Sequence, residues 1–262
     1  MAKKSAWTAF PYPEKAYQYT AASLKKAWDR LHKGDCEPFP KDAAVVDAWI
    51  AYHAGDFAGA VAQGLAAGGA GVNAANKAAC IYANYLEESD AAKLKIYEEV
   101  AARCEARQKE APKDVNAFYL HAYALGRYAQ GISIVKALKE GMGDKVKASL
   151  ATAIKLAPKH ADAHIALGTY HAEIIDKVGA MIGGLTYGAK KETGLELFGH
   201  AIMLNPDSAI AKVEMANGLI MMFGKAKVAQ AEKLYEEAAA MKPVDAMERL
   251  DVEMAKGELE DE

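Results

Sequence analysis

Three histidines have spacing that could do chemistry. His160, His164 and His171 stand at i, i+4 and i+11, so one helix face could present all three. With Glu173 or His200 from a following helix they would supply the nitrogen and oxygen donors that zinc takes. A second pattern opposes that reading. His164 lies six residues after Pro158, the offset at which Phe118 follows Pro112. His171 lies thirteen after it, the offset of Leu125 and Leu219 from their own prolines. Those offsets are packing positions, where a histidine has its ring nitrogens satisfied by neighbours. No HExxH occurs, and no metal ligand is assigned.

Other chemistry is equally thin. The three cysteines, Cys36, Cys80 and Cys104, are far apart, odd in number and without CxxC or Cys/His spacing, so they read as reduced thiols of a cytoplasmic protein. Cys36 is expected in a loop, and Cys80 and Cys104 on apolar faces. No GxSxG occurs. Gly68-Gly69-Ala70-Gly71 lacks a preceding strand and a following Gly-Lys-Ser/Thr, so it reads as a connection between helices, not a phosphate loop. The expectation is a non-enzymatic protein with no cofactor. Two lysines near the start, with no apolar run after them and with Pro11 and Pro13 close behind, do not read as a secretory signal. The longest weakly polar stretch, 178–189, falls short of the roughly 20 residues of a membrane span. A net charge of −3 offers nucleic acid no attracting field.

Tyrosine and methionine concentrate elsewhere. Tyr119, Tyr123, Tyr128, Tyr170 and Tyr187, with Met181, Met203, Met215, Met221 and Met222, crowd the middle of the chain. Methionine adapts to irregular apolar shapes and tyrosine pairs an apolar body with a polar tip. Both suit a ligand groove, and both suit a core. Lys190 and Lys191 could hold an anionic group there, or be solvated surface lysines.

The elements that must position these residues show themselves as a repeat. The alanine-rich composition, with only 8 prolines, favours helix. Pro112, Pro158, Pro206 and Pro243 are spaced by 46, 48 and 37 residues. Five residues after the first three stand Ala117, Ala163 and Ala211, and ten after stand Ala122, Gly168 and Ala216. Before the last three stand Leu150, Phe198 and Tyr235 (offset −8), Ala153, Ala201 and Ala238 (offset −5), and Leu156, Leu204 and Met241 (offset −2). Proline marks each boundary because it cannot continue a helix but is tolerated in a first turn. Offsets −8 and −5 share a helix face. The large residue fills the gap between units and the small ones let the next helix approach.

These columns resemble the tetratricopeptide (TPR) signature, whose unit is about 34 residues. The reading is an all-α, TPR-like α-solenoid of helix pairs. Residues 112–256 form the repeats and 41–111 form degenerate pairs, with Gly55-Asp56 as a turn, Ala60 packed behind it, and Tyr82, Leu94 and Val100 inward. Residues 1–40 form a cap around one helix, 14–33, carrying Tyr17, Leu24, Trp28 and Leu31. Residues 257–262 form an acidic, solvated tail.

Two central units exceed the nominal length by about a dozen residues each. The excess falls between paired helices, at 127–143 and 173–191. Both stretches are apolar and glycine-marked, unlike a wet surface loop, and so are expected to bury surface. The run Gly184-Leu185-Thr186-Tyr187-Gly188-Ala189-Lys190-Lys191, followed by a helix that ends near Asn205-Pro206, resembles the TPR domain of the regulator-of-microtubule-dynamics family over about residues 112–250. That resemblance implies a helical binding domain and, from relatives that handle phospholipids, a lipid-sized cavity. Stand-alone bacterial TPR proteins are similar and imply no defined activity. The leading expectation is a cytoplasmic scaffold that binds a protein or peptide. The alternative is a carrier or sensor of an apolar, lipid-like molecule between the two insertions, and the weakest reading is metal binding. The candidate binding residues are Arg127, Tyr128, Tyr170, His171, Met181, Tyr187, Lys190 and Lys191.

Overall fold

A computed structural model describes residues 7–260 of the chain, and within them the regular structure is helical throughout. The leader reading therefore falls largely outside the described residues, as do the last two residues of the acidic tail. The helices are α1 (Ala21–Leu31), α2 (Ala43–Ala54), α3 (Phe57–Ala67), α4 (Gly71–Tyr85), α5 (Asp90–Glu110), α6 (Val115–Ile132), α7 (Ile134–Lys139), α8 (Met142–Leu156), α9 (Ala161–Ile182), α10 (Lys191–Leu204), α11 (Ala209–Phe223), α12 (Val228–Ala239) and α13 (Ala246–Glu260). Neighbours pack in pairs: α2 on α3, α3 on α4, α5 on α6, α9 on α10, α11 on α12. No described helix is long and apolar enough to cross a membrane.

Local chemistry sets the ends. Asp42, Asp56, Ser89 and Ser208 accept backbone N–H bonds in the first turns of α2, α3, α5 and α11. Gly55 closes α2 at φ 87°, a left-handed position suited to glycine. The four marker prolines all fall between helices. The expected single helix over 14–33 is broken. A short 3-10 turn at Lys15–Tyr17 stops, and α1 starts afresh at Thr20, which with Ser23 forms a reciprocal capping box. Tyr17, Leu24, Trp28 and Leu31 are buried nonetheless.

The repeat columns are buried at four of the five offsets. Ala117, Ala163 and Ala211, Ala122 and Ala216, Ala153, Ala201 and Ala238, and Leu150, Phe198 and Tyr235 all lie in the core, as does Gly168. Phe198 on α10 explains the small residues opposite it. A Cβ on Gly168 of α9 would lie 2.9 Å from its ring, and one on Gly218 of α11 2.6 Å. The −2 column behaves differently: Leu156 is 38% exposed, and Leu204 and Met241 are half-buried.

The two ends of the chain meet. Ala246 and Leu250 of α13 belong to the apolar cluster of the N-terminal region, with Trp28, Trp49 and Tyr52. Val252 and Ala255 of the same helix pack with α11 and α12. Polar contacts reinforce the join: Arg30 pairs with Glu248 at 2.5 Å, Arg249 with Glu14 at 2.8 Å, and the Tyr19 hydroxyl donates to the Val244 carbonyl at 2.9 Å.

The insertions diverge in structure. The first becomes the last turns of α6, the short α7 and the start of α8, and it buries Ala137 while half-burying Leu138. The second is the end of α9, broken at Gly179 (φ 80°), followed by a π-turn over Gly183–Tyr187. Contrary to expectation it leaves apolar side chains in solvent: Met181 is 75% exposed, Ile182 51% and Leu185 85%.

Candidate functional site

A partly open cavity of about 160 Å³ lies where α4, α6, α9, α11 and α13 face one another. One region is apolar, formed by Ile134, Ala137 and Leu138 of the first insertion with Met142, Val146, Leu150 and Ile174. Elsewhere the lining is polar and aromatic, with Tyr85, Tyr119, Tyr123 and Tyr170. The helical period brings Asp162, Ala166, Thr169 and Glu173 of α9 to one face, and all four line the cavity.

Charge on the walls is one-sided. Asp35, Asp162, Glu173, Glu214, Glu248 and Asp251 line the cavity, against Lys77 and Arg127. Three of the carboxylates are neutralised. Asp35 bonds to Lys77, Arg127 donates to Glu214 at 3.0 Å, and Arg30 holds Glu248. Thr169 also donates to Glu214, at 2.9 Å. The remaining three have no cation in contact among the described residues. Asp251 accepts the Tyr85 hydroxyl, Glu173 accepts from Gln130, and no hydrogen bond reaches the Asp162 carboxylate. Burial pushes Asp162 up to about 6, Glu173 to about 7 and Asp251 to about 8. The Tyr170 hydroxyl also lacks a partner, although its residue is only 7% exposed.

A buried polar chain borders this end of the cavity. Trp28 Nε1 donates to the Glu37 carbonyl at 2.8 Å, fixing the loop after α1. In that loop Asp35 accepts from His32 Nδ1 at 2.9 Å, from the Glu37 amide at 3.2 Å and from Lys77. His32 Nε2 faces His53 Nε2, and His53 Nδ1 donates to Asp245 at 2.7 Å. Burial lowers His32 to about 4. Burial alone would raise Asp35, but His32 and Lys77 hold it well below the usual carboxylate range. Glu37, buried beside Asp35 and Asp114, is pushed up to about 8, and it accepts from Asn116 at 2.6 Å and Asn73 at 3.2 Å.

The eight residues expected to bind from sequence do not converge. Arg127 and Tyr170 line the cavity. Tyr128 is half-buried outside it. His171 accepts the Lys190 amide on Nδ1 at 2.9 Å, and the Tyr187 carbonyl accepts from Lys147 at 3.0 Å. Lys191 lies over the Phe223 ring at 4.8 Å, Lys190 is exposed, and Met181 protrudes into solvent. From the second insertion only Glu173 and Ile174 reach the cavity.

The histidines are also separated by their partners. His160 caps α9 through Nδ1 and donates from Nε2 to Asn116 at 3.0 Å, while His164 donates to the Pro158 carbonyl at 3.0 Å. Among the described residues no group of three or more His, Cys, Asp or Glu is placed to hold a metal. Sequence reasoning missed Asp162, Asp251, Tyr85 and Lys77. A signal existed for Asp162 and Glu173, which sit eleven apart on a helix already recognised. None existed for Asp251, which arrives through closure of the chain ends. Neither a protein-family model nor a curated protein matches this chain.

Proposed function

We propose that this chain is a non-enzymatic binding protein with a TPR-like solenoid architecture, and that it holds a small amphipathic ligand in its internal cavity. The observation that carries the reading is the cavity itself, apolar along α7 and α8 and lined by carboxylates and tyrosines elsewhere. Its volume of about 160 Å³ is close to the roughly 150 Å³ that holds a benzene-sized molecule. A peptide helix, about 10 Å across, does not fit there. Six carboxylates on the walls also disfavour a neutral acyl chain along the whole length. No histidine lines the cavity, and burial pushes the thiol of Cys80, its one cysteine, well above its usual range, which leaves no activated nucleophile. The burial of the repeat columns supports the TPR-like reading.

The test is calorimetric titration with a small neutral probe, phenol, whose single ring matches the cavity volume. Saturable one-site binding appears if the cavity accepts ligands, and Ala137→Trp, which fills the apolar part, abolishes it. Equal binding by Ala137→Trp assigns the probe to the surface and counts against the reading.

A second reading, docking of a protein partner, rests on Met181, Ile182 and Leu185, whose exposure is unusual for apolar residues so close in sequence. Loss of self-association or partner binding in Leu185→Ser, with the fold intact, would support it.

A further inference from the structure

The turn after α9 is apolar at its tip and basic at its base. Leu185 and Met181 are the most exposed large apolar side chains among the described residues, and Ile182 beside them is exposed as well. The turn that carries them is firmly held. Gly179 breaks α9 at a left-handed φ of 80°. The Gly183 carbonyl accepts both the Gly188 and the Ala189 amides, which closes the π-turn. Lys147 of α8 donates to the Tyr187 carbonyl at 3.0 Å, and the Lys190 amide donates to His171 Nδ1 at 2.9 Å. Gly183 and Ala189 are buried beneath the tip.

Two properties indicate what covers the tip. Residues 178–189 contain no charged side chain, and the bonds just given satisfy backbone groups of the turn from within the protein, as entry into an apolar medium requires. The flanking charge is basic. From 177 to 191 there are three lysines and no Asp or Glu, in a chain whose net charge is −3. Asp176 is paired with Lys177 at 2.8 Å, and Glu192 lies in the first turn of α10. Burial, with the charges of Lys147 and Lys190 close by, lowers His171 to about 4, which places both lysines at the base of the turn. Side chains standing this far out need a matching hollow in a protein partner, whereas a fluid bilayer closes around them.

We infer that this turn docks the protein on an anionic lipid bilayer, with Met181, Ile182 and Leu185 at the boundary of headgroups and acyl chains and Lys147 and Lys190 against the phosphates. The inference is independent of the cavity, and it assigns the exposed residues to a bilayer in place of a protein. Sedimentation of the full chain with vesicles tests it, using phosphatidylcholine alone and phosphatidylcholine mixed with phosphatidylglycerol. The chain should sediment with the mixed vesicles, release in high salt, and bind phosphatidylcholine alone at least tenfold more weakly. Met181→Ser and Leu185→Ser should each weaken binding about tenfold, with melting temperature unchanged because neither side chain is packed. Lys190→Gln should weaken it about fivefold. Equal binding to neutral vesicles, or binding unchanged in Met181→Ser and Leu185→Ser, would overturn the inference. So would binding to neither vesicle, and self-association lost in Leu185→Ser would then give the patch to a protein contact.

Discussion

His32 and His53 face each other nitrogen to nitrogen, with their Nε2 atoms 3.3 Å apart. Asp35 bonds to His32 Nδ1 on one side and Asp245 to His53 Nδ1 on the other, and Lys77 of α4 also bonds to Asp35, so this buried chain joins the loop after α1 to α2, α4 and the start of α13. Asp245→Asn removes the carboxylate to which His53 Nδ1 donates. The expected cost is about 1–3 kcal/mol, measured by urea unfolding. Hydrogen exchange should show α13 losing protection first, since Asp245 sits at its start. A loss below about 0.5 kcal/mol would mean the chain does not clamp the ends.

Phe198 occupies the space left by Gly168 and Gly218. Either glycine changed to alanine drives a methyl into its ring, and overpacking of this kind costs about 1–3 kcal/mol. Gly199, next in sequence, has nothing within 4 Å of an added Cβ, so Gly199→Ala should stabilise by about 0.5–1 kcal/mol through backbone entropy alone. Adding Phe198→Leu to Gly168→Ala should recover part of the loss. Thermal or urea unfolding of the set reads all of these changes.

Stability should fall between pH 6.5 and 8. A carboxyl raised in the folded state contributes stability that is complete below its unfolded value and is lost as pH rises through its folded value. Asp251 and Glu37, both raised to about 8, and Glu173, raised to about 7, act in this window. His32 and His160, lowered to about 4, act in the opposite sense only below their ordinary value near 6.5. Asp251 alone accounts for about 2 kcal/mol across the window. Urea unfolding at both pH values should therefore show a decline, and Asp251→Asn should shrink it by about that amount.

The thiols give a fourth check. Cys36 is exposed while Cys80 and Cys104 are buried. Burial of the Cys36 sulfur, next to Asp35, pushes its thiol up to about 11, so it should label slowly despite its exposure. A thiol reagent should modify one cysteine in the native protein and three in denaturant.

The helices and their packing faces were legible because they are local. Small and large residues recurring around Pro112, Pro158, Pro206 and Pro243 marked Phe198 as a gap-filling residue and Gly168 as a site of close helix approach, and the structure brings the two together. The N-terminal helix was overextended because Thr20 and Ser23 satisfy backbone donors with their side chains, and an apolar count does not register that. The cavity was half legible. Arg127 and Tyr170 were found because they lie in or beside an insertion with an odd length. Asp251, Tyr85 and Lys77 come from helices far apart in sequence, brought together when α13 packs against α2 and α4, and no periodicity encodes that closure. The second insertion misled for a physical reason: apolar residues at 181–185 follow a backbone break at Gly179 that turns them toward solvent.

The central claim is that the interior is a ligand site, and native mass spectrometry of the protein purified from its own host tests it most directly. The account predicts a retained small molecule in one-to-one ratio, absent from Ala137→Trp. A spectrum showing the bare chain alone, together with no thermal shift on adding the neutral probe, would contradict it.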